Sequence, residues 1–199
     1  MEGIGTPVVI DGEHYITLEE LRASAPELAD SNRFPDVVLA VKREEAEEDW
    51  EELARRAWLP RTAQEYCRAT GEHVFTHWRD VRAIESATDE NGDAIDVSGV
   101  VANPIMGALR RPGGWPEGVV NVTYSHGKDA PTAAVKRLVL MLARIYALPS
   151  SIDPRATAII NSDVGGYRIS VASKETGSCG IPDIDAGAAR YGVRTPVGG

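Results

Sequence analysis

The stretch DAPTAAVKRLVLMLARIYALP at positions 129–149 decides how the rest of the chain is interpreted. Its apolar side chains recur at spacings of three and four, which is typical of one broad face of an α-helix. Asp129 can cap the helix, Pro131 suits its first turn, and Leu148-Pro149 ends it. We therefore predict a helix over Pro131–Ala147 at the centre of the core. The side chains expected to face inward are Ala134, Val135, Leu138, Val139, Leu142, Ile145 and Tyr146.

Two further helices are predicted before this one. Thr17-Leu-Glu-Glu20 has the form of a capping box, which predicts a helix over Thr17–Ala25. A longer helix is predicted over Pro35–Trp58, and its charged run indicates either a solvated face or an acidic surface for a basic partner. The charged run is expected opposite the inward side of this longer helix, which is predicted to contain the apolar positions Val37, Val38, Val41, Ala46, Trp50, Leu53, Ala54 and Ala57.

Residues 59–126 have a different pattern, in which short β-like segments alternate with turn signals. Asn91-Gly92 between two such segments is a strong hairpin signal. We therefore predict a β-rich lobe inserted between the helices. Its predicted strands are Thr62–Thr70, Val74–Trp78, Val81–Ala87, Ile95–Val100 and Val119–Tyr124.

The segment after the central helix predicts a β-hairpin, with strands Thr157–Asn161 and Tyr167–Ala172, then a short helix near Asp183–Tyr191 and a loose tail over Gly192–Gly199. A short strand or arm is predicted over Pro7–Ile10. The predicted fold class is thus α+β. It consists of a helical core (1–58 and 127–150), an inserted β-rich lobe (59–126), and a C-terminal β-hairpin, short helix and extended tail (151–199).

Composition and charge exclude several classes of protein. The chain of 199 residues has a formal net charge of −9, so it lacks the basic surface of a nucleic-acid binder. No apolar run is long enough to span a membrane, and the N-terminus does not resemble a secretory leader. Cys67 and Cys179 show no metal-ligand spacing, which favours free thiols in a reducing cytosol. We expect no membrane partner.

The sequence contains none of the phosphate-binding, dinucleotide-binding, nucleophile-elbow or zinc-protease motifs. We therefore predict no enzyme activity, no catalytic residue, no cofactor and no metal. His73 and His77 lie in a β-like segment, where residues four apart are separated by roughly 13 Å along a strand. Metal binding by this pair is the less favoured interpretation.

Two carboxylate-containing groups leave alternatives open. Ser125, His126 and Asp129 have the three side-chain types of a hydrolase triad, but residues adjacent in sequence rarely form a working triad. A small cytosolic hydrolase is therefore kept only as an alternative to a strand end that leads into a helix cap. Asp183 and Asp185 form either a paired-carboxylate site or the N-cap and first-turn acid of a helix, and the second is simpler.

The order of several motifs resembles one family. EELARRAWLP (51–60) comes first, then GGWPEGVVNVTYSHG (113–127) and APTAAVKRLVLMLARIYAL (130–148). DPRATAIINSDVGGYRISVAS (153–173) and TGSCGIPDIDAGAARYG (176–192) follow. In this order the motifs are similar to the head-to-tail connector (adaptor) proteins of siphophages, especially phages of actinobacteria. The similarity extends over about 36–191.

The resemblance implies a structural virion protein with no catalytic residues, assembled in the host cytoplasm. Family members form a ring at the neck, typically of twelve subunits, beneath the portal protein. The ring extends the channel, through which packaged DNA passes without sequence-specific binding, and docks the next connector or tail protein. The family also implies a C-terminal segment that reaches a neighbouring subunit or the portal. The partner-binding residues it suggests here are Gly180, Ile181, Pro182, Tyr191, Arg194 and Pro196.

A neighbouring class is the alternative to the connector. Head-completion stoppers and tail-terminator proteins also join heads to tails, and they are usually smaller and dominated by β-structure. A structure in which Pro35–Trp58 and Pro131–Ala147 do not form a packed pair of helices would favour that class.

Overall fold

A computed structural model describes residues 13–148, 156–161, 167–171 and 178–192. These residues form helices and small antiparallel sheets, so the predicted α+β class is confirmed. The helices are α1 (Leu18–Ala23), α2 (Asp36–Ala54), α3 (Ala133–Ala147) and α4 (Pro182–Tyr191). The strands are β1 (Arg61–Arg68), β2 (His73–Phe75), β3 (Val81–Thr88), β4 (Val101–Asn103), β5 (Ala108–Arg110), β6 (Val119–His126), β7 (Ala156–Asn161) and β8 (Tyr167–Val171).

The chain forms two compact units. The β unit comprises the described Glu13 together with Arg55–Ala130. The helical unit comprises His14–Ala54 and the described part of Pro131–Gly199. The predicted division into a helical core, an inserted β-rich lobe and a C-terminal segment stays a prediction.

Helix α3 is the centre of the helical unit, as its apolar periodicity predicts. It packs against α2 and α4, and its inward residues Val135, Leu138, Val139 and Leu142 are buried. The predicted cap was wrong. Thr132, directly before the helix, accepts the N–H of Val135 at 3.3 Å, because only the residue next to the first turn can reach its free N–H groups.

Helix α4 approaches α3 closely at Gly187. A Cβ atom at this position would collide with the side chain of Leu138. The absence of a side chain therefore allows the two helices to pack at short distance. Helix α1 begins at the predicted capping box, in which Thr17 accepts the Glu20 N–H at 3.0 Å and Glu20 accepts the Thr17 N–H at 2.7 Å.

Helix α2 differs from its prediction in length and in orientation. It ends at Ala54 instead of Trp58, because Arg55 adopts a left-handed conformation (φ +50°) that a helix cannot continue. Its buried apolar residues are Leu39, Ala46, Trp50 and Ala54. The predicted inward residues Val37, Val38 and Val41 are wrong, since all three are exposed on the opposite side of the helix.

Two glutamates of α2 are buried beside the chain that enters the helical unit. The Glu47 carboxylate accepts the Tyr15 N–H at 2.9 Å and contacts the His14 ring at 3.0 Å. The Glu51 carboxylate accepts the Tyr15 hydroxyl at 2.7 Å. The charged run of α2 is therefore only partly a solvated face. These bonds compensate the desolvation of both carboxylates.

The β unit contains two three-stranded antiparallel sheets, ordered β1-β6-β3 and β2-β5-β4. Their buried residues form one core, to which the second sheet contributes Val74 and Leu109. Gly127, at φ +97°, follows β6 where a Cβ atom would collide with the backbone of Leu59. The other core residues are Ala63, Cys67, Trp78, Val81, Ala87, Trp115, Val120, Val122 and Tyr124.

The predicted strand Ile95–Val100 was wrong. The turn at Asn91-Gly92 forms as predicted, but the returning chain makes only the isolated bridge between Thr88 and Ala94. Pairing ends there because the Asp96 carboxylate accepts the N–H of Ser98 at 3.0 Å and turns the chain. The second sheet instead uses β4 and β5, whose three-residue lengths give almost no periodic signal.

The C-terminal elements agree with the sequence where the structure describes them. The hairpin strands β7 and β8 pair antiparallel, and α4 begins one residue before the predicted Asp183. The predicted arm Pro7–Ile10 and the tail beyond Gly192 lie outside the described residues.

Candidate functional site

The C-terminal residues suggested as partner-binding are only partly described. Gly180 and Ile181 are buried in the loop that leads into α4, whereas Pro182 is exposed and Tyr191 is half-buried. Arg194 and Pro196 lie outside the described residues. A partner-binding role for this segment stays a prediction.

Asp185 holds the loop before α4 in place. Its carboxylate accepts the Ser178 hydroxyl at 2.5 Å and the N–H groups of Cys179 and Gly180 at 2.8 and 3.1 Å. Burial raises the pKa of this carboxyl, but the three hydrogen bonds outweigh that effect, and the pKa lies below its ordinary value. Asp185 therefore has a structural role as a carboxylate. This arrangement does not support a paired-carboxylate site with Asp183. The predicted N-cap was wrong, because α4 begins at Pro182 with Ile181 as its N-cap, and both aspartates lie in the first turn.

The side chains of the alternative hydrolase do not form a triad. The Ser125 hydroxyl donates to a backbone carbonyl of β3 at 3.4 Å. His126 is the next residue of β6 and points to the opposite, buried side, where its ring stacks on Trp78 with centroids 5.1 Å apart. Asp129 is exposed and pairs with Arg82 at 2.6 Å. No proton can pass from Ser125 through His126 in this arrangement.

His126 is instead a buried, neutral ring. Burial, followed by the nearby charges of Arg61 and His77, lowers its pKa to about 4. Within the described part of the chain, its Nδ1 has no hydrogen-bond partner. A charged imidazolium at this position would lack the stabilisation that a general base requires.

A buried carboxylate network lies next to His126 in the β unit. Glu65 accepts a short hydrogen bond from the Tyr124 hydroxyl and another from the backbone N–H of His77 at 2.8 Å. The Cys67 thiol lies 3.7 Å from the same carboxylate. Burial, and then the charge of Glu65, raises the pKa of the Tyr124 hydroxyl and raises that of the Cys67 thiol to about 12. Both groups stay protonated and serve as donors in a structural network.

The described residues contain no group of three metal-ligating side chains. His73 lies on the exposed side of β2 and His77 after its end, which does not favour the pair as ligands. A membrane-spanning helix is also absent from the part of the chain that the structure describes.

The exposed apolar side chains are concentrated in two places, which sequence reasoning missed. On α2, Val37, Val38 and Val41 are 70%, 44% and 47% exposed, and we call these three residues the valine face. A signal for it exists in the sequence. Leu39, Ala46, Trp50 and Ala54 share one helical phase, and the three valines fall outside it.

The second place is a cleft of about 340 Å³ on the sheet β2-β5-β4. Phe75, Val101 and Met106 are 53%, 62% and 53% exposed there, beside the exposed Ile105. We call this the apolar cleft. It is lined by His73, Phe75, Val101, Asn103, Met106, Ala108 and Arg110.

Exposed patches of this kind mark interaction surfaces more often than catalytic sites. Neither surface brings together a nucleophile and a base. The geometry of the described residues therefore supports binding to other macromolecules.

Solved structures, but no family model or curated protein, are similar to this chain. No protein-family model matches the chain, and no curated protein does. Among solved structures, a chain from the virion of a native gene transfer agent particle is similar, with a TM-score of 0.66 and 15% identity. Chains from the necks of empty and native particles, computed with C6 and C12 symmetry, give TM-scores of 0.63 and 0.61 at 14% and 13% identity. Each match covers 98% of both chains. At this identity the likeness shows the fold, which this chain shares over 98% of its length with chains of a gene transfer agent particle and its neck.

Proposed function

We propose that this chain is a structural subunit of the neck of a tailed-phage-like particle, acting as a head-to-tail connector (adaptor). The observation that carries the proposal is the likeness to neck chains over 98% of both lengths. A match of this extent includes both the helical unit and the β unit, so it is not the likeness of a single common motif.

In this proposal copies of the chain form a ring beneath the portal, which extends the DNA channel and docks the next connector or tail protein. Both neck structures were computed with rotational symmetry, which supports a ring, and the C12 symmetry of the native one supports twelve subunits. The net charge of −9 is compatible with a channel past which DNA moves without adhering, because an acidic wall repels phosphates.

A head-completion stopper or tail-terminator protein is the less favoured alternative. It would be favoured by the absence of a packed pair of long helices, yet α2 and α3 pack against each other in the helical unit. A hydrolase is not favoured, since Ser125 and His126 point to opposite sides of β6 and do not form a triad.

The proposal is tested by deleting the gene for this chain from a particle-producing genome. We expect DNA-filled heads that do not carry tails, and restoration of joined particles when the chain is supplied from a plasmid. Mass spectrometry of purified wild-type particles should detect the chain. Normal, fully joined particles in its absence would contradict the proposed function.

A further inference from the structure

We propose that the valine face of one copy of this chain docks into the apolar cleft of a second copy, and that this contact joins neighbouring subunits of the ring. The inference rests on the proposed function. A ring closed by rotation requires two different surfaces on each subunit that are complementary to each other.

The distribution of exposed apolar side chains supports two such surfaces. Of the nine large apolar side chains exposed among the described residues, three form the valine face and four lie in or beside the apolar cleft. Both surfaces remain uncovered in the isolated chain. Covering them in an assembly would be favourable, because apolar surface would be removed from water.

Their shapes are complementary. The valine face is one turn of a helix, with Val37 and Val41 four residues apart on the same side. The apolar cleft is a concave site on a sheet. An apolar helical face in an apolar groove is a recurring mode of recognition between proteins.

Acidic residues continue the valine face, and a basic residue, Arg110, lines the apolar cleft. Val37, Val41, Glu44 and Glu48 follow one another at spacings of four, three and four, so an acidic row continues the valine face. The lining of the apolar cleft contains Arg110 and His73 but no carboxylate. Arg110 pairs with Glu72 at 2.9 Å, and both side chains are about half exposed, so this pair is weak enough for Arg110 to share a second carboxylate.

Pairing of like surfaces is disfavoured. Helix α2 contains eight acidic and two basic residues, so two valine faces in contact would bring two acidic rows together. Two concave clefts in contact would leave a void between them. The complementary arrangement, with the helix of one copy in the cleft of the next, avoids both penalties.

The test is a disulfide cross-link between full-length subunits in assembled particles. Val41→Cys and Met106→Cys are introduced together, with Cys179→Ser, while the buried Cys67 is retained because its raised pKa makes it unreactive. After mild oxidation, non-reducing electrophoresis should show a ladder of covalent multimers. Particles assembled from a mixture of the two single variants should give dimers, which excludes a link within one copy.

The matched control combines Val41→Cys with Tyr66→Cys, an exposed residue of the other sheet, and should give no ladder. If the neck contains this chain but the Val41–Met106 pair gives no ladder, the inference is overturned and the proposed function stands. A cross-link only to a different neck protein, or only within one copy, also overturns it. If wild-type particles do not contain the chain, the proposed function itself fails.

Discussion

The packing around α3 in the helical unit and the centre of the β unit are stabilised by different kinds of side chain. In the helical unit, α3 presents Val135, Leu138, Val139 and Leu142 to its neighbours, and Gly187 allows α4 to approach closely. The centre of the β unit instead surrounds the Glu65 carboxylate and the His126 ring with aromatic residues. Around α3 the first interior depends on the fit of apolar shapes, and its two buried carboxylates, Glu47 and Glu51, accept hydrogen bonds from Tyr15. The second also depends on the hydrogen-bond donors to Glu65 and on the protonation state of His126.

The largest effect is expected from a charge placed in the aliphatic interior. Leu138→Asp should unfold the helical unit, because a buried carboxylate without a partner costs several kcal/mol, on the scale of the whole folding free energy. Circular dichroism during thermal unfolding measures the loss of helix. Arg137→Asp, at the adjacent exposed position, is the control and should leave the unit folded.

The second prediction concerns the pH dependence of the β unit. The pKa of His126 is about 4 in the folded chain and about 6.5 when unfolded, so the unfolded state binds the proton more strongly between these values. Stability should therefore be fully present above about pH 6.5 and fall as the pH is lowered towards 4, by about 3 kcal/mol in total. Denaturant unfolding at a series of pH values measures this slope.

His126→Leu should reduce the slope between pH 6.5 and 4, because the ring that takes up the proton is removed. An identical slope in this variant and in the wild-type chain would show that His126 does not contribute to the pH dependence.

A smaller loss is expected when one donor of the carboxylate network is removed. Tyr124→Phe removes one hydrogen bond from the buried Glu65 carboxylate, while that from the backbone N–H of His77 remains, and it should lower the free energy of unfolding by about 1–3 kcal/mol. The exposed Tyr66→Phe is the matched control and should be nearly neutral. Equal stability of the two variants would mean that the network adds nothing to the β unit.

The smallest effect is expected at the surface, where the acidic row of the helical unit faces the apolar cleft of another copy. Glu48→Arg and Arg110→Glu should each reduce the share of chain assembled into particles several-fold. The two changes together should restore part of it, since the charges are again opposite. Additive losses in the double variant would argue against direct pairing of these surfaces.

The parts of the fold that could be predicted from the sequence are those with a strong local cause. The apolar periodicity of α3 and the capping box of α1 each determine their element without help from distant residues. Strands β4 and β5 could not be predicted, because three residues show no period and their pairing is set by tertiary packing.

The candidate surfaces were missed for a related reason. Apolar residues of α2 were all expected to face inward, but apolar side chains are common on protein surfaces, and the phase set by Leu39 and Trp50 places the valines outside. The buried Glu47 and Glu51 were equally unpredictable, since their donors come from Tyr15 and His14 more than thirty residues away.

Cryo-electron microscopy of the neck of particles whose genome encodes this chain tests whether the chain is a neck subunit. We expect a ring of copies between portal and tail, with the helical and β units of each copy recognisable in the density. A complete neck whose density is fully explained by other proteins would contradict it.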